Sequence, residues 1–196
     1  MITDILNKYR LILASRSLRR QQLLRELGLR FDVIIKDWPE IYPENLKGEE
    51  IAMYVARQKA DSFKHEILDN EIVITADTIV WCNGKVLDKP VSKQDAIEIL
   101  NEISGNTHEV ITGVCLLSTK KQMTFSSSTK VTFDSLEENE IDFYIEKYKP
   151  YDKAGAYGIQ EWIGIAACSQ IEGSYFNVMG LPVHMLYKEL QKFISE

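Results

Sequence analysis

Residues 72–77 constrain the fold of this 196-residue chain more than any other segment. Their sequence, IVITAD, is a near-continuous apolar run that ends in a carboxylate. Central strands of parallel sheets have this pattern because helices cover both faces of the sheet. The run therefore predicts a central strand of an α/β fold. Ligands of such folds bind beyond the carboxyl ends of the strands, where Asp77 would stand.

Strand and helix patterns alternate on both sides of this run. Further strands are expected at residues 11–14, 31–35, 108–118 and 122–133, and Asn83-Gly84 predicts a type I′ turn in a hairpin over residues 78–87. Helical periodicity and caps predict a helix that stops at Gly28, helices over residues 49–66 and 92–105, a helix opened by a Ser135–Glu138 capping box, and a helix after Pro182. Residues 163–176 are interpreted as a hairpin or bent strand pair. The class is therefore α/β with a mixed sheet.

Composition and charge narrow the classes of function. Hydrophobic residues make up 45% and charged residues 27% of the chain, as in an ordinary globular protein, and we expect residues 1–196 to form a single domain. The formal net charge of −6 argues against a nucleic-acid partner, which needs a basic face. We expect no membrane partner, because no apolar run approaches the ~20 residues of a spanning helix. Without a secretory pattern, Cys82, Cys115 and Cys168 fit reduced, buried thiols of a cytoplasmic protein.

Three arginines and two serines crowd the turn between the first predicted strand and the first helix. The segment runs from Ser15 to Arg20 as SRSLRR. Amides at a helix N-terminus and serine hydroxyls suit phosphate oxygens, and a guanidinium group matches phosphate bidentately. Basic residues oppose the dipole at a helix start, which favours a polyphosphate-binding role. A capped, solvated helix start with surface charge is the alternative.

Two polar segments follow the predicted central strand and its hairpin. Asp77 precedes Thr78 at the strand end, where an aspartate can hold a divalent cation or take a proton from an attacking water. It can equally cap a turn. Lys89 stands before a proline that stiffens the chain, and its ammonium can bind a phosphate as a point charge. A plain surface lysine is the alternative there.

The segment DKAGAYGIQ, residues 152–160, is spaced by two glycines. Glycines let a backbone approach a flat ligand closely, and Gln160 carries the paired donor and acceptor that can read the edge of a base. A tight turn between a helix and a hairpin is the alternative. Glu40 is a candidate metal ligand in a polar loop, and Lys59 is a candidate on the middle helix. Both are equally compatible with surface charge.

Taken in order, these segments resemble the Maf family of nucleoside triphosphate pyrophosphatases over about residues 11–190. The resemblance is carried by ASRSLRRQQLL, RQKA, ITADTIV, DKP, LNEISGNTHEVITGV, DKAGAYGIQ and VMGLP. ADT and DKAGAYGIQ are similar to the subfamily that acts on dTTP and UTP. The resemblance implies a Maf/ITPase-like fold: an elongated single α/β domain with a twisted mixed sheet flanked by helices, and two lobes around a central cleft. It also implies a homodimer as a common assembly.

The same resemblance implies a reaction and a set of site residues. A nucleoside triphosphate and water give a monophosphate and pyrophosphate, with Mg²⁺ or Mn²⁺ as the cofactor. Asp77 matches the general base, and Glu40 and Asp77 are the implied metal ligands. The implied substrate-binding and specificity residues are Ser15, Arg19, Arg20, Lys59, Thr78, Lys89 and Gln160.

Two positions depart from the family pattern. Leu18 stands where the family usually has proline, and Glu161 where it usually has glycine. A carboxylate at Glu161 would oppose a polyphosphate unless it points away or meets the metal. Two other functions stay open: a nucleotide-binding regulator of cell division without turnover, and a pyrophosphatase for 7-methyl-GTP or non-canonical purine triphosphates. Asp77 favours catalysis, because a pure anion binder gains nothing from a negative charge.

Overall fold

A computed structural model of the chain describes residues 8–195. Strands and helices alternate along these residues, which confirms the α/β class. The strands are β1 (Arg10–Leu13), β2 (Asp32–Val33), β3 (Glu71–Cys82), β4 (Lys85–Leu87), β5 (Thr107–Leu117), β6 (Gln122–Phe133) and β7 (Cys168–Glu172). The helices are α1 (Leu18–Glu26), α2 (Glu49–Asp61), α3 (Lys93–Ile103), α4 (Glu138–Tyr148), α5 (Trp162–Ala166), α6 (Tyr175–Val178) and α7 (Val183–Ser195), with a 3₁₀ turn at Ala154–Ala156.

The strands of the described residues form one seven-stranded mixed sheet. Its order is β2-β1-β3-β5-β6-β7, and β4 pairs with β3 beside this path. β1 runs parallel to both β2 and β3, whereas β4 is antiparallel to β3 and β7 is antiparallel to β6. β3 is buried along nearly its whole length, as its apolar run predicts.

Contacts divide the described chain into two compact units, each with its own apolar core. The first comprises residues 8–77, 112–127 and 180–195, and the second comprises residues 78–111 and 128–179. In the first unit, side chains from β1, α2, β3 and β5 pack together. In the second, the core joins β3, β4, α3, β5, β6, α4 and residues 156–167. β3, β5 and β6 contribute residues to both units.

Short-range signals predict several elements correctly. Asn83 and Gly84 have φ values of 50° and 80° and connect β3 to β4, which confirms the hairpin. Ser92 caps α3 by accepting a hydrogen bond from the N–H of Asp95. The helix after Pro182 buries Leu186, Leu190 and Phe193 on one face. No helix among residues 8–195 is long and apolar enough to cross a membrane.

Other sequence predictions are wrong in detail. The capping box of α4 is formed by Glu137 and Glu140 rather than by Ser135 and Glu138. Residues 163–176 hold part of a helix, one strand and the start of another helix instead of a hairpin or strand pair. The predicted strand at residues 31–35 shortens to Asp32–Val33, and the second helix ends at Asp61. All three cysteines are free, but Cys168 is only half-buried.

Candidate active site

The side chain of Lys59 joins two carboxylates of the first unit. Its Nζ lies 2.7 Å from Oε1 of Glu40 and 2.7 Å from Oδ1 of Asp77. The side chains of Lys59 and Asp77 are 17% and 11% exposed, whereas Glu40 is 47% exposed. A largely buried ammonium needs such partners, because losing its hydration is costly. The structure thus brings together three residues that lie far apart in the sequence.

The packing of α2 against β3 creates this cluster. Thr75 is fully buried in β3, and its hydroxyl donates to the backbone oxygen of Ala56 in α2 at 2.6 Å. Lys59 follows Ala56 by three residues, and Asp77 follows Thr75 by two. Residues three apart share a helix face, and residues two apart share a strand face. The contact at Thr75 therefore carries Lys59 towards Asp77.

Arg20 holds the backbone beside Asp77. Its Nη1 donates to the oxygen of Ala76 at 2.9 Å, and its Nε donates to the oxygen of Gly180 at 2.7 Å. Desolvation lowers the pKa of Arg20, and the nearby Asp77 carboxylate opposes that shift. The guanidinium nevertheless stays charged, as in proteins generally. Arg20 thus anchors the end of the apolar run in β3. The arginine-rich sequence of residues 15–20 did not indicate this contact with the backbone of β3.

The rest of the arginine-rich turn caps α1. Ser17 is the N-cap and accepts from the N–H of Arg20 at 3.4 Å, while its own N–H donates to Oγ of the buried Ser15 at 3.2 Å. Arg16 forms a surface ion pair, and Arg19 stands in the first turn of α1. This turn therefore caps α1 and carries the three arginines as well. Phosphate binding at this turn stays a prediction.

Three predicted site residues belong to the second unit. Thr78 continues β3 and is half-buried, Lys89 is exposed after β4, and Gln160 is exposed after the 3₁₀ turn. The N–H of Gly155 donates to the oxygen of Asp88 at 3.2 Å, which connects the glycine-spaced loop to the segment that carries Lys89. Gly155 has a φ of 67°, a conformation that favours glycine.

A buried polar network beside Gln160 was missed by sequence reasoning. The Tyr144 hydroxyl donates to Oε2 of Glu161, and Lys153 Nζ lies 3.3 Å from Oε1 of the same carboxylate. Glu161 therefore meets two protein donors in the second unit. The available signal was Tyr144 itself, which stands on the apolar face of its helix with Ile141 and Ile145 although it carries a hydroxyl.

Glu40 and Asp77 are the carboxylates of the first unit that could serve as ligands of a divalent cation. Among residues 8–195, no three His, Cys, Asp or Glu side chains come together to hold a metal ion. Mg²⁺ in phosphate-handling proteins is usually bound by one or two carboxylates together with substrate phosphates. Two carboxylates that converge on one cation, here the Lys59 ammonium, fit a metal that arrives with a triphosphate.

Fold and site together define an α/β protein with a lysine-bridged carboxylate pair at its most buried strand. The family model described as Maf-like protein matches residues 10–193. This chain belongs to the Maf family, which confirms the resemblance noted from its motifs.

Curated relatives match almost the whole chain. A protein of Phocaeicola vulgatus named dTTP/UTP pyrophosphatase is 53% identical over 95% of this chain and 97% of its own length. A Bacteroides fragilis protein of the same name is 50% identical over the same shares. Among solved structures, a nucleoside-triphosphatase / dITP/XTP pyrophosphatase from Mycobacterium abscessus has a TM-score of 0.43 and 10% identity, covering 95% of this chain and 96% of the other.

Proposed function

We propose that this chain hydrolyses dTTP and UTP to the nucleoside monophosphates and pyrophosphate. Relatives that bear this activity in their names share about half of its residues over nearly the full length of both chains. The observation that carries the proposal is the Lys59 ammonium bound by Asp77 and Glu40 beside the central strand. It is a charged, partly buried site of the kind that phosphoryl chemistry requires.

Asp77 acts as the general base in this proposal. Its carboxylate takes a proton from water while the water oxygen bonds to the α-phosphorus. The bond from that phosphorus to the α,β-bridging oxygen breaks, and pyrophosphate leaves with the bonding electrons. Lys59 holds the carboxylate in place and adds positive charge for the phosphates.

A divalent cation belongs to the proposal as a cofactor. Glu40 and Asp77 would hold Mg²⁺ or Mn²⁺ together with the triphosphate. When bound, the cation neutralises phosphate charge and polarises a phosphoryl oxygen. Local positive charge is needed because the chain's net charge of −6 repels a nucleotide at long range.

The remaining site residues divide between phosphates and base. We assign Ser15, Arg19 and Lys89 to the phosphates, and Thr78 and Gln160 to recognition of the pyrimidine. Arg20 adds charge while it holds the backbone at Ala76.

The proposal has three further parts. We propose that residues 1–196 act as one domain, that the protein works in the cytoplasm, and that it forms a homodimer. None of these assignments changes the chemistry at Asp77.

Turnover of a nucleotide panel tests the proposal. The purified protein is given Mg²⁺ and dTTP, UTP, CTP, dATP, GTP, ITP or 7-methyl-GTP, and monophosphate with pyrophosphate is resolved from diphosphate with phosphate. Asp77→Asn should lower turnover of dTTP and UTP by about 10²–10⁴-fold, because a general base contributes that much. Asp69→Asn is the matched control, since Asp69 is an exposed aspartate of the same unit that accepts a hydrogen bond from the Thr119 hydroxyl.

Each contrary result points to one alternative. Full activity in Asp77→Asn removes that residue as the base. Purine turnover in preference to dTTP and UTP favours the other pyrophosphatase specificities. Nucleotide binding with no turnover in the wild-type protein favours the regulator.

A further inference from the structure

One carboxylate organises the loop that carries Gln160. Oε2 of Glu161 accepts from the hydroxyl of Tyr144, and Oε1 lies 3.3 Å from Nζ of Lys153. Tyr144 is fully buried, and the side chains of Lys153 and Glu161 are only 8% and 17% exposed. A carboxylate in such a place is costly unless each oxygen has a donor, and here each has one.

The phenol of Tyr144 binds both ends of the turn that contains Gln160. Its oxygen accepts from the N–H of Gly158 at 3.0 Å and donates to Glu161. The N–H of Glu161 closes the same turn by donating to the oxygen of Gly158 at 2.9 Å. The Gly158 backbone before Gln160 and the Glu161 side chain after it are therefore tied to one point on α4.

Gly158 leaves room for this arrangement. A Cβ on Gly158 would lie 2.8 Å from Cδ of Glu161 and 3.1 Å from Nε2 of Gln160. The side chains of Glu161 and Gln160 thus both lie close to Gly158, and a side chain at position 158 would displace them.

The Tyr144 hydroxyl keeps its proton at ordinary pH. Burial and the Glu161 carboxylate both raise the pKa of Tyr144. Asp152 gives Lys153 a second partner at 2.8 Å. A buried polar network whose members are all satisfied rigidifies the structure around it.

We propose that Tyr144, Lys153 and Glu161 are positioning residues that pre-organise Gln160 for discrimination between pyrimidine and purine bases. The inference rests on the proposed function, which gives Gln160 the base. A side chain held in its binding conformation before the ligand arrives loses less freedom on binding, and this gain applies only to the ligand that the conformation fits. Glu161 consequently serves recognition while donors within the protein bind both oxygens of its carboxylate.

Binding of non-hydrolysable nucleotides tests this inference independently of turnover. Calorimetry with Mg²⁺ gives the Kd of the α,β-imido analogues of dUTP and dGTP for the full chain and its variants. Tyr144→Phe and Glu161→Gln should each reduce the preference for the dUTP analogue by about 3–10-fold, the effect of freeing one side chain. Asp142→Asn is the matched control on the same helix, because Asp142 forms an exposed ion pair with Lys93.

A double variant separates positioning from general loss of structure. Gln160→Ala should lower the preference by a similar factor, and adding Tyr144→Phe to it should have little further effect. Amide hydrogen exchange should speed up at residues 158–161 in Tyr144→Phe and stay unchanged in Asp142→Asn. These results would support the network as a device for recognition.

Two outcomes would overturn it. One is an unchanged preference in Tyr144→Phe and Glu161→Gln while Gln160→Ala loses it, which leaves the proposed function standing. The other is unchanged exchange at residues 158–161. A wild-type protein that discriminates between the analogues but hydrolyses no triphosphate would defeat the proposed function alone, and the Kd ratios would still decide the role of the network.

Discussion

His108 is the single residue whose charge state depends most clearly on folding. It is 1% exposed, and its Nε2 lies 2.7 Å from the hydroxyl oxygen of Tyr157. Its Nδ1 has no hydrogen-bond partner among the described residues. Burial lowers the pKa of His108 to about 4. The folded protein therefore holds this imidazole neutral where an unfolded chain would protonate it.

Acid should destabilise the protein through His108. An unfolded histidine has a pKa near 6.5, so between about pH 6.5 and 4 the unfolded state binds a proton that the folded state does not. Stability from this group is complete above pH 6.5 and is lost as the pH falls towards 4. We expect the free energy of unfolding to fall by about 3 kcal/mol between pH 7 and 4, and urea unfolding across that range measures it.

Two glutamine variants isolate this contribution. His108→Gln keeps a polar partner for Tyr157 and cannot titrate, so its stability should fall less steeply with acid. His184→Gln, which replaces an exposed histidine of α7, is the matched control. The assignment is refuted when His108→Gln and the wild type lose stability equally between pH 7 and 4.

At the scale of elements, β5 and α2 approach so closely that Gly113 has no room for a side chain. A Cβ there would overlap the backbone of Ala52 and Met53 in α2. The clash is with backbone, so a side-chain rotation cannot relieve it. The same helix carries Lys59, and its distance from the sheet therefore matters to the candidate active site.

Gly113→Ala should push α2 away from β5. We expect a loss of stability at the upper end of the ~1–3 kcal/mol that overpacking costs, together with reduced turnover of dTTP. Denaturant unfolding and the product assay measure the two effects. Gly84→Ala is the comparison: nothing lies within 4 Å of its Cβ, so only its φ of 80° opposes the change, at about 1 kcal/mol. Equal effects of the two substitutions on stability would contradict the close approach.

Element prediction succeeded where neighbouring residues carry the signal. The turn at Asn83-Gly84 and the cap at Ser92 depend on contacts within four residues. The prediction failed at residues 163–176, where Ser174 caps a one-turn helix and Gly164 packs against the backbone of Ile159. Elements of four or five residues are too short for a period of 2 or 3.6 to be recognised.

At the scale of the whole molecule, nucleotide and metal should stabilise the chain together. At 100 times its Kd, a ligand that binds only the folded state adds about 2.7 kcal/mol. For a chain of this length that corresponds to a rise in Tm of about 5–10 °C. Calorimetry with Mg²⁺ and the α,β-imido analogue of dUTP should show this rise in a single transition, as expected for one domain.

Removing the metal should reduce the rise in Tm that the nucleotide causes. With EDTA at the same nucleotide concentration, the phosphates lose their counterion and the shift should shrink. Deoxyuridine, which has no phosphates, should give almost none. A full shift in EDTA would count against a metal at Glu40 and Asp77, and two separate transitions would count against a single domain.

The sequence predicted which residues belong to most of the candidate site. It did not predict how their side chains contact one another. The motifs named Asp77, Lys59 and Glu40 without indicating that one ammonium binds both carboxylates. Arg20 was predicted to bind phosphate, whereas the structure shows it holding backbone oxygens. Role assignments for these residues stay predictions until the variants are measured.

The sequence by itself determined the α/β class, the hairpin, the cap of α3, and membership of the Maf family. Those features depend on periodicity, turn dipeptides and motifs, which are properties of short segments. Only the tertiary structure decided that Lys59 lies between Glu40 and Asp77 and that Tyr144 and Lys153 bind Glu161. Most of these partners are 17 to 19 residues apart in the chain. Their contact is set by how helices pack on strands and loops, because local sequence does not encode distances across a packed core.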